Sequence, residues 1–569
     1  MNNSPQQTKQ SGRYIFLNLI SFCVVCFFVQ NVLGQQPKIT SFAPTSGSIG
    51  TMVTINGSGF SAVAASSIVY FGAVKAEVSS STETTVKVKV PYGATFEPIS
   101  VTSNSLTAYS SKPFAVTFIG TTAFIPNSFA TPVVYESGKY PVVGGIGDFD
   151  GDGKPDIITA NYTDNTVSVF RNNSSNVTLS FLKLAVIATG EGPGDIAIAD
   201  FDCDGMLDFA VSNTTTQTVS VFRNISTAGS IKFASKIDLQ GFKYTIRVSA
   251  GDFDGDGKPD IAEVDNIVGD IYLYRNTSTP GNLSFTQVYP FIGLGEVPSD
   301  LAVGDLDNDG KPDLAITEPF TNTLHLLKNI TSGEAILFDY KLTLVPKTEP
   351  NQVSMADLDG DGNTDIIVCS SGSDSITVFQ NKSTAGNYTF IPRSFKVGTS
   401  PNNVSIGDLD GDGKPDLAVS SSEIEVKVLR NTSSGGNVSF AGAVGYFVSG
   451  SSTFTCIGDL NADGRPDLVV GNYMSIFILK NETSALGIDD YISTRHIKVY
   501  PNPGKGIFSI SSPEVISTAK VTGIMGNTLA TYSPETRQFV IDLSEQPSGT
   551  YFLSIKIGNQ FKTVQLIKQ

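Results

Sequence analysis

A chain of 569 residues with 40% hydrophobic residues can form several packed domains, at roughly one per 150 residues. Its net charge of −16 argues against nucleic-acid binding, which requires a basic surface. Glycine, proline, serine, threonine and asparagine are abundant and no long amphipathic helix pattern occurs, which favours short strands joined by turns.

The N-terminal segment has the features of an export signal. Arg13 precedes an apolar run over residues 14–29, and Val32–Gly34 is a small-residue cleavage site. We therefore predict a signal peptide over residues 1–34, and the length of the run leaves an uncleaved anchor as an alternative. The cysteines that follow this segment each lie in a different repeat, so no disulfide is predicted. They are Cys203, Cys369 and Cys456.

Residues 37–118 alternate short apolar segments with turn residues, as in a small β-sandwich of about seven strands. Pro44, Gly47, Gly50 and the sequence GSGF at 57–60 resemble the turn pattern of an IPT/TIG domain, an immunoglobulin-like module. The resemblance implies a spacer or an accessory binding unit, and we expect its stability to be independent of calcium.

A nine-residue acidic motif recurs seven times between residues 148 and 467, at intervals of 51–53 residues. The copies, called loops one to seven, read DFDGDGKPD, DFDCDGMLD, DFDGDGKPD, DLDNDGKPD, DLDGDGNTD, DLDGDGKPD and DLNADGRPD. They hold 27 of the 54 acidic residues, so the negative charge is concentrated in them. A fixed period of this kind indicates a repeat architecture.

The acids at positions one, three, five and nine of each loop predict a cation site. Alternating carboxylates in a tight turn converge on one point, a glycine at position six permits the bend, and the position-seven carbonyl adds a ligand. About six or seven hard oxygens suit Ca²⁺ better than Mg²⁺, and zinc requires nitrogen or sulfur. An EF-hand would need flanking helices, whereas strands flank these loops. We predict up to seven Ca²⁺ ions, one per repeat.

The predicted metal-binding residues occupy the same five positions in every loop. Position one is Asp148, Asp200, Asp252, Asp305, Asp357, Asp408 and Asp459. Position three is Asp150, Asp202, Asp254, Asp307, Asp359, Asp410 and Asn461. Position five is Asp152, Asp204, Asp256, Asp309, Asp361, Asp412 and Asp463. Position seven, through its carbonyl, is Lys154, Met206, Lys258, Lys311, Asn363, Lys414 and Arg465. Position nine is Asp156, Asp208, Asp260, Asp313, Asp365, Asp416 and Asp467.

Two loops depart from the pattern. Asn461 replaces an acid at position three, which predicts that loop seven is the weakest site. Cys203 lies at position four of loop two, which is not a ligand position, so this loop is predicted to bind calcium.

Each full repeat reads as four short strands, one before the loop and three after it. The pattern resembles the FG-GAP/VCBS repeat, the calcium-loop repeat of integrin alpha-subunit propellers and of secreted bacterial proteins, over residues 121–484. The resemblance implies a β-propeller. The seventh repeat lacks a fourth strand, and residues 122–131 are predicted to supply it and to close a seven-bladed ring without exposed edges.

An Asn-X-Ser/Thr sequence follows the third strand of the repeats. Because its place in the repeat is fixed, we interpret it as turn chemistry rather than as a glycan acceptor. The asparagines are Asn172, Asn224, Asn276, Asn329, Asn381, Asn431 and Asn481.

Residues 497–569 follow a predicted linker at 485–496 and contain IKVYPNPGKGIFSI, VTGIMGNTLA and SGTYFL. These segments resemble the C-terminal sorting domain of the type IX secretion system. The resemblance implies a small β-sandwich, a Bacteroidota-type source, handling by that secretion machinery, and a secreted or outer-membrane surface location.

Together these features predict an all-β, monomeric protein: a seven-bladed propeller between two β-sandwiches that binds an extracellular protein or glycan in adhesion. The ligand face is predicted opposite the acidic loops, where the turns vary most between repeats. A calcium-dependent polysaccharide-active lyase or hydrolase and a purely structural surface or matrix component remain alternatives.

We predict no enzymatic activity. The only histidines are His325, at a variable strand position, and His496, in the linker, and no nucleophile motif accompanies them. Four glutamates lie in or near inter-strand loops, without a feature that marks a catalytic pair: Glu191, Glu296, Glu318 and Glu423.

Overall fold

The computed structural model describes residues 36–569 except for the following positions. They are 119, 121–122, 176–177, 242–243, 290–291, 295–296, 334, 385, 484–497, 524–527 and 558–559. The predicted signal peptide, the predicted linker, Glu296 and His496 therefore lie outside the described residues. Within the described residues no helix has the length and apolar character that a membrane span requires.

The N-terminal domain is a β-sandwich of two four-stranded sheets, ordered β1-β3-β7-β6 and β5-β4-β8-β9, with a parallel pair β10-β2. Its alternating side chains pack Phe42, Val53, Phe71, Val86 and Phe114 between the sheets. The strands are β1 Lys38–Ala43, β2 Ser46–Gly47, β3 Met52–Ser58, β4 Ser67–Phe71, β5 Val74–Ala76, β6 Val78–Ser81, β7 Thr85–Lys89, β8 Pro98–Ser103, β9 Leu106–Pro113 and β10 Ala115–Val116, with a 3₁₀ helix at Ala64–Ser66.

The repeats form seven antiparallel sheets, each named after the loop that joins its first two strands. Sheet one is β12 Pro141–Gly147, β13 Asp156–Asn161, β14 Thr166–Asn172 and β15 Phe181–Lys183 with β16 Ile187–Ala188. Sheet two is β17 Pro193–Ala199, β18 Asp208–Asn213, β19 Thr218–Phe222 and β20 Ile237–Gln240. Sheet three is β21 Thr245–Gly251, β22 Asp260–Asp265, β23 Asp270–Asn276 and β24 Phe285–Gln287 with β25 Ile292–Gly293. Sheet four is β26 Asp300–Gly304, β27 Asp313–Glu318, β28 Thr323–Asn329 and β29 Phe338–Leu344.

The last three sheets follow the same plan. Sheet five is β30 Pro350–Ala356, β31 Asp365–Ser370, β32 Ser375–Asn381 and β33 Phe390–Lys396, with a 3₁₀ helix at Ser371–Ser373. Sheet six is β34 Pro401–Gly407, β35 Asp416–Ser421, β36 Glu425–Leu429 and β37 Val444–Phe447. Sheet seven is β38 Thr455–Gly458, β39 Asp467–Gly471, β40 Ser475–Leu479 and, from earlier in the chain, β11 Val133–Glu136.

The first strands of the sheets contact one another in sequence, and β38 of sheet seven contacts β12 of sheet one. The series of sheets is therefore closed, as in a propeller, with the first strands innermost. Neighbouring sheets cover both faces of each second strand, so every residue of β13 and of its counterparts is buried. This burial explains why the second strands read as short continuous apolar runs. The predicted all-β, propeller-like fold is confirmed.

The prediction of the strand that completes sheet seven is right in part. The strand is β11, which pairs antiparallel with β40 and follows the predicted residues 122–131. The end of the predicted segment extends this pairing, since Phe129 bridges Asn481 antiparallel and the Ala130 N–H donates to the Lys480 carbonyl at 2.9 Å. Phe124 and Phe129 are also buried in the core between sheets six and seven, so part of the apolar character of this segment reflects core filling.

The sequon asparagines link consecutive sheets. Asn224 is buried, and its Nδ2 donates to the Leu207 carbonyl of its own loop at 2.8 Å and to the Phe149 carbonyl of loop one at 2.9 Å. Its Oδ1 accepts the Ser226 N–H at 2.9 Å. In sheet one, Asn172 donates to the Leu460 carbonyl of loop seven at 2.8 Å, which closes the ring. The interpretation of these asparagines as structural turn residues is confirmed.

The N-terminal domain packs against the acidic loops. The Thr107 N–H donates to the Gly257 carbonyl of loop three at 2.6 Å, and the Ala73 carbonyl accepts the Asp148 N–H of loop one at 2.9 Å. The Tyr70 hydroxyl donates to the Gly205 carbonyl of loop two at 2.8 Å. The domain is therefore packed on the repeats, and its contacts with three loops argue against the predicted independence of its stability from calcium.

The C-terminal domain is one sheet built around the long strand β42, ordered β41-β42-β45-β46 with β43 and β44 also paired to β42. Phe508, Val521, Ile541, Leu553 and Leu566 are buried in its core. Its strands are β41 Lys498–Tyr500, β42 Ile507–Gly523, β43 Thr528–Tyr532, β44 Thr536–Asp542, β45 Gly549–Ile557 and β46 Gln560–Lys568.

We expect Asn224→Ala to lower the free energy of unfolding by about 2–5 kcal/mol, because it leaves two buried carbonyls and one partly buried N–H without partners. Urea unfolding followed by circular dichroism measures the change. Asn282→Ala is the matched control, since Asn282 is exposed in a turn of sheet three, and it should cost less than about 0.5 kcal/mol. Equal costs for the two variants would contradict the linking role.

Candidate metal centre

Each acidic loop has two residues, at positions four and six, in the left-handed backbone conformation. In loop three, Gly255 has φ +73° and Gly257 has φ +87°, conformations that glycine adopts without strain. Position four remains left-handed where it is not glycine, as at Cys203 in loop two and Ala462 in loop seven. These turns fold the loop back on itself, so that its alternating carboxylates point to one side.

The carboxylates converge as the spacing predicts. In loops one to four the side chains of positions one, three and nine each offer an oxygen within 4.8 Å of the other two. In loop three these residues are Asp252, Asp254 and Asp260. In loop five the grouped residues are positions one, three and five: Asp357, Asp359 and Asp361.

Backbone N–H groups hold the carboxylates in place. In loop three, Asp260 accepts the Asn276 N–H at 2.8 Å and the Phe253 N–H at 2.9 Å, so position nine joins the loop to the third strand. Asp252 Oδ2 accepts the Gly257 N–H at 2.9 Å across the loop. These donors are on the main chain, so the loop's own backbone fixes positions one and nine of the cluster.

Three carboxylate oxygens in the loops are buried without a hydrogen-bond partner. They are Asp252 Oδ1, Asp307 Oδ1 and Asp357 Oδ1, from loops three, four and five. A buried ionised oxygen without a partner is costly, and a cation is the group that most directly compensates it. Clusters made only of hard oxygen donors fit Ca²⁺, so the residues present suit the predicted ion.

Burial raises the pKa of the clustered carboxyls, and repulsion from neighbouring aspartates acts in the same direction. The pKa of Asp252 is raised to about 7 and that of Asp260 to about 8. Asp148 and Asp156 in loop one follow the same pattern, with pKa values of about 6 and about 8. Close to neutral pH a cation must therefore compete with protons for these oxygens.

Sequence reasoning missed a cation that is built into each loop. The Arg171 guanidinium lies 2.6 Å from Asp150 Oδ2 through Nε and 2.9 Å from Asp152 Oδ2 through Nη2. The signal was present, because a basic residue precedes the sequon asparagine in six repeats and follows it by one residue in the fifth. These residues are Arg171, Arg223, Arg275, Lys328, Lys382, Arg430 and Lys480.

The position-seven lysines of loops one and three turn away from the carboxylate clusters. Lys154 Nζ donates to the Ser174 carbonyl at 2.9 Å and Lys258 Nζ to the Ser278 carbonyl at 2.8 Å. These ammonium groups therefore do not occupy the predicted ion positions, and the position-seven carbonyl as a metal ligand stays a prediction.

The loops are not equivalent in their surroundings. In loop seven, the Asn461 Oδ1 accepts the Asp463 N–H at 3.0 Å, the contact that an aspartate makes elsewhere, so the loop keeps its conformation with one charge fewer. In loop five, Lys112 of the N-terminal domain places its Nζ 3.5 Å from Asp357 Oδ2. An ammonium group from another domain thus adds to the cations that surround this cluster.

His325 lies far from the acidic loops in sheet four, with partners of its own. Its Nε2 is 2.9 Å from Glu318 Oε2 and its Nδ1 is 2.7 Å from the Tyr340 hydroxyl. Glu423, in sheet six, pairs instead with Lys427 at 3.1 Å. The two glutamates therefore sit in different sheets with different partners and do not form one carboxylate pair.

Family models match most of the chain. An FG-GAP-like repeat model matches residues 148–211, 204–263 and 357–419, and an FG-GAP repeat model matches 297–328, 400–439 and 453–485. An IPT/TIG domain model matches residues 37–118, and a secretion system C-terminal sorting domain model matches 498–569. No curated protein matches the chain by sequence.

Solved structures resemble the chain at low identity. A structure of BBS1N in complex with ARL6DN is 13% identical, with a TM-score of 0.44, and covers 63% of this chain and 99% of its own. An auxiliary nutrient binding protein from Bacteroides thetaiotaomicron VPI-5482 is 10% identical, with a TM-score of 0.32, and covers 78% and 97%. A protein from Lactobacillus plantarum is 13% identical, with a TM-score of 0.37, and covers 72% and 99%.

The family matches account for the main features of the sequence and the fold. The FG-GAP matches fall on the repeats with the acidic loops, and the sorting-domain match implies type IX export to the cell surface or the outside in Bacteroidota. The chain is an exported FG-GAP repeat protein with an N-terminal IPT/TIG domain and a C-terminal type IX sorting domain.

Proposed function

We propose that this protein is a monomeric, non-catalytic adhesion module that binds a protein or glycan outside the cell, with calcium as a structural cofactor of its acidic loops. The observation that carries the proposal is the packing of the N-terminal domain on the acidic loops. Because that side of the repeats is covered, a large external ligand has free access chiefly to the opposite ends of the strands.

The turns at those opposite ends suit ligand binding. They differ between repeats in sequence and carry exposed large side chains, among them Phe320 with 79% of its surface exposed and Val345 with 71%. Variable turns on a rigid scaffold are the usual place for binding residues. We therefore assign the ligand face to this side, here called the turn rim: the turns between second and third strands and the connections into first strands.

Calcium has a structural role in this proposal. The loops carry carboxylates with raised pKa values and oxygens without partners. When bound, the ion supplies positive charge that compensates this repulsion. The loop backbone, the position-nine aspartates and the cations such as Arg171 hold the cluster in place.

We expect calcium removal to lower the melting temperature of the protein. At about 1 mM calcium and dissociation constants of about 10⁻⁴–10⁻³ M, linkage contributes roughly 0.4–1.4 kcal/mol per site, or on the order of 3–10 kcal/mol over seven sites. Melting curves of metal-stripped protein with and without 1 mM CaCl₂, paired with elemental analysis, measure the difference. Identical curves in protein verified as metal-free would contradict the calcium assignment.

A loop variant should reduce the calcium increment alone. We expect Asp254→Ala/Asp256→Ala to remove about one site's share of the calcium-dependent stabilisation, roughly 0.4–1.4 kcal/mol. Asp339→Ala is the control, because Asp339 is exposed on sheet four, and its calcium increment should be unchanged. The double variant also removes the two aspartates that pair with Arg275, which changes stability with or without calcium. The comparison therefore uses the stabilisation that calcium adds to each protein, and not the absolute stabilities. Equal increments in wild type and the double variant would argue against metal in loop three.

The stability of the metal-free protein should depend on pH with a defined sign. The raised pKa values of Asp252 and Asp260 lie above the unfolded value of about 3.9, so the folded state binds more protons between about pH 4 and 8. The free energy of unfolding of metal-free protein should therefore fall as pH rises across this window. The increment from 1 mM calcium should grow over the same window, because protons leave the ligands. Melting curves at pH 5, 6, 7 and 8 test both slopes, and a calcium increment that shrinks toward pH 8 would contradict the site.

The C-terminal domain should direct export without affecting ligand binding. A variant that ends at Ser484 should keep the melting temperature of the repeats and accumulate in the periplasm of its native host. Residues 497–569 fused to an unrelated periplasmic protein are the control and should carry that protein outward. Normal extracellular levels of the truncated variant would refute the sorting assignment.

A further inference from the structure

Three tyrosines meet on the turn rim where sheet seven adjoins sheet one. Tyr140 precedes β12, Tyr162 lies between β13 and β14, and Tyr473 lies between β39 and β40. The Tyr140 and Tyr473 rings are stacked, with centroids 5.3 Å apart and planes 14° apart. The Tyr162 ring meets Tyr140 edge-on, with centroids 6.3 Å apart. We call these residues the tyrosine platform.

The backbone holds the platform together. The Tyr140 N–H donates to the Tyr473 carbonyl at 2.8 Å, and the Tyr162 N–H donates to the Tyr140 carbonyl at 3.0 Å. Three segments that are distant in sequence are thus fixed side by side by main-chain hydrogen bonds. The rings are therefore held together before a ligand binds, which favours binding.

The position of Tyr140 is not required by the fold. Its φ is +55°, in the left-handed region that a bulky side chain rarely occupies. Sheet two has Gly192 at the same place before its first strand, with φ +67°. Glu349 and Ser400 occupy the same left-handed position in sheets five and six, with φ +55° and +51°, so the turn forms without an aromatic residue and the fold does not require one at Tyr140.

The rings are accessible rather than buried. Tyr140 is 38% exposed, Tyr162 37% and Tyr473 55%. Within the described residues none of the three hydroxyl groups is hydrogen-bonded to another residue, so all three remain available to a ligand. Tyrosine in such a setting combines an apolar face with a polar tip, a combination common in recognition surfaces.

The surroundings of the platform favour an uncharged ligand. Lys139 and Asp164 flank the rings with opposite charges, and the Asp164 carboxylate accepts the Lys139 N–H at 2.7 Å. With one charge of each sign beside the rings, the platform favours neither an anionic nor a cationic ligand. A patch of three rings is also small beside the roughly 800 Å² that each partner buries in a stable protein interface.

We propose that the tyrosine platform binds a sugar ring of a neutral glycan, with ring C–H groups against the aromatic surface and sugar hydroxyls bonded to the tyrosine hydroxyls and Asp164. The C–H face of a sugar is weakly positive and matches the negative face of an aromatic ring. This inference rests on the proposed ligand-binding function and gives that function a site and a ligand class.

The test uses the chain from residue 35 to 569 in 1 mM calcium against neutral oligosaccharides, anionic oligosaccharides and a protein array. Because the chain contains no tryptophan, its intrinsic fluorescence reports tyrosine directly, so a neutral sugar at the platform should change it. We expect binding of a neutral glycan that Tyr473→Ala and Tyr140→Gly each weaken at least tenfold, with unchanged melting temperatures. Tyr140→Gly also relieves the left-handed strain, which guards against loss of folding.

Tyr244→Gly is the matched control, because Tyr244 occupies the same left-handed position before the first strand of sheet three, with φ +62°. Its affinity for the glycan should equal that of wild type. Ligand binding that the platform variants leave intact, or that is confined to anionic glycans or proteins, would overturn the platform and leave the proposed function standing. A wild-type protein that binds nothing on any array would overturn both.

Discussion

The link between each acidic loop and the next sheet is the interaction on which the rest of this structure depends. The side chain of one asparagine, such as Asn224, donates hydrogen bonds to a carbonyl in its own loop and to a carbonyl in the preceding loop. The backbone N–H of the same asparagine donates to the position-nine aspartate. Hydrogen bonds to buried main-chain groups are expensive to lose. The loop, its neighbour and the third strand are thereby fixed together around the whole ring, and every carboxylate cluster takes its shape from this arrangement.

This rigid arrangement creates an electrostatic problem that the chain solves only in part. Four acids in each of loops one to six, and three in loop seven, are drawn into a small, largely buried volume, which raises the pKa of positions one and nine, as at Asp252 and Asp260. A basic side chain from the third strand or just after it neutralises the outer oxygens of positions three and five. Inner oxygens such as Asp252 Oδ1 are left without a partner. The two kinds of cation are complementary, since the built-in one fixes the outer edge and a metal compensates the interior.

The N-terminal domain makes the ends of the repeats unequal. The domain packs against the acidic loops, and Lys112 of the domain approaches Asp357 of loop five. The charge of the loops therefore affects how the domain is bound to them. The opposite ends of the strands carry the variable turns with exposed side chains. The same ring thus has one side with the carboxylate clusters and a second domain packed on it, and another side with exposed, variable turns.

The C-terminal domain has its own core, built from residues of its own strands. A sorting domain that folds on its own residues can be read by export machinery without any change in the repeats. The sorting domain is therefore structurally separate from the proposed binding surface of the repeats.

Much of this protein followed from the sequence. The repeat period predicted the positions of the loops, and the apolar runs after them predicted the second strands. The constant position of Asn224 and its counterparts within the repeat indicated a structural role. These features were readable because they are local: the spacing of carboxylates within nine residues and the alternation within a strand do not depend on distant segments. The carboxylate convergence in loops one to four is of this kind, and it agrees with the predicted positions one, three and nine.

Other features were decided only by the tertiary structure. The strand that completes sheet seven is β11, and residues 122–131 reach the sheet only at their end, through Phe129, because apolar residues fill a core as readily as they form a strand. The packing of the N-terminal domain on the loops depends on contacts between distant residues, such as Tyr70 and Gly205, which the repeat pattern does not predict. Tyr140 and Tyr473 meet because ring closure brings the two ends of the repeat array together. Sequence determined what each repeat is, whereas closure of the ring decided which repeats become neighbours.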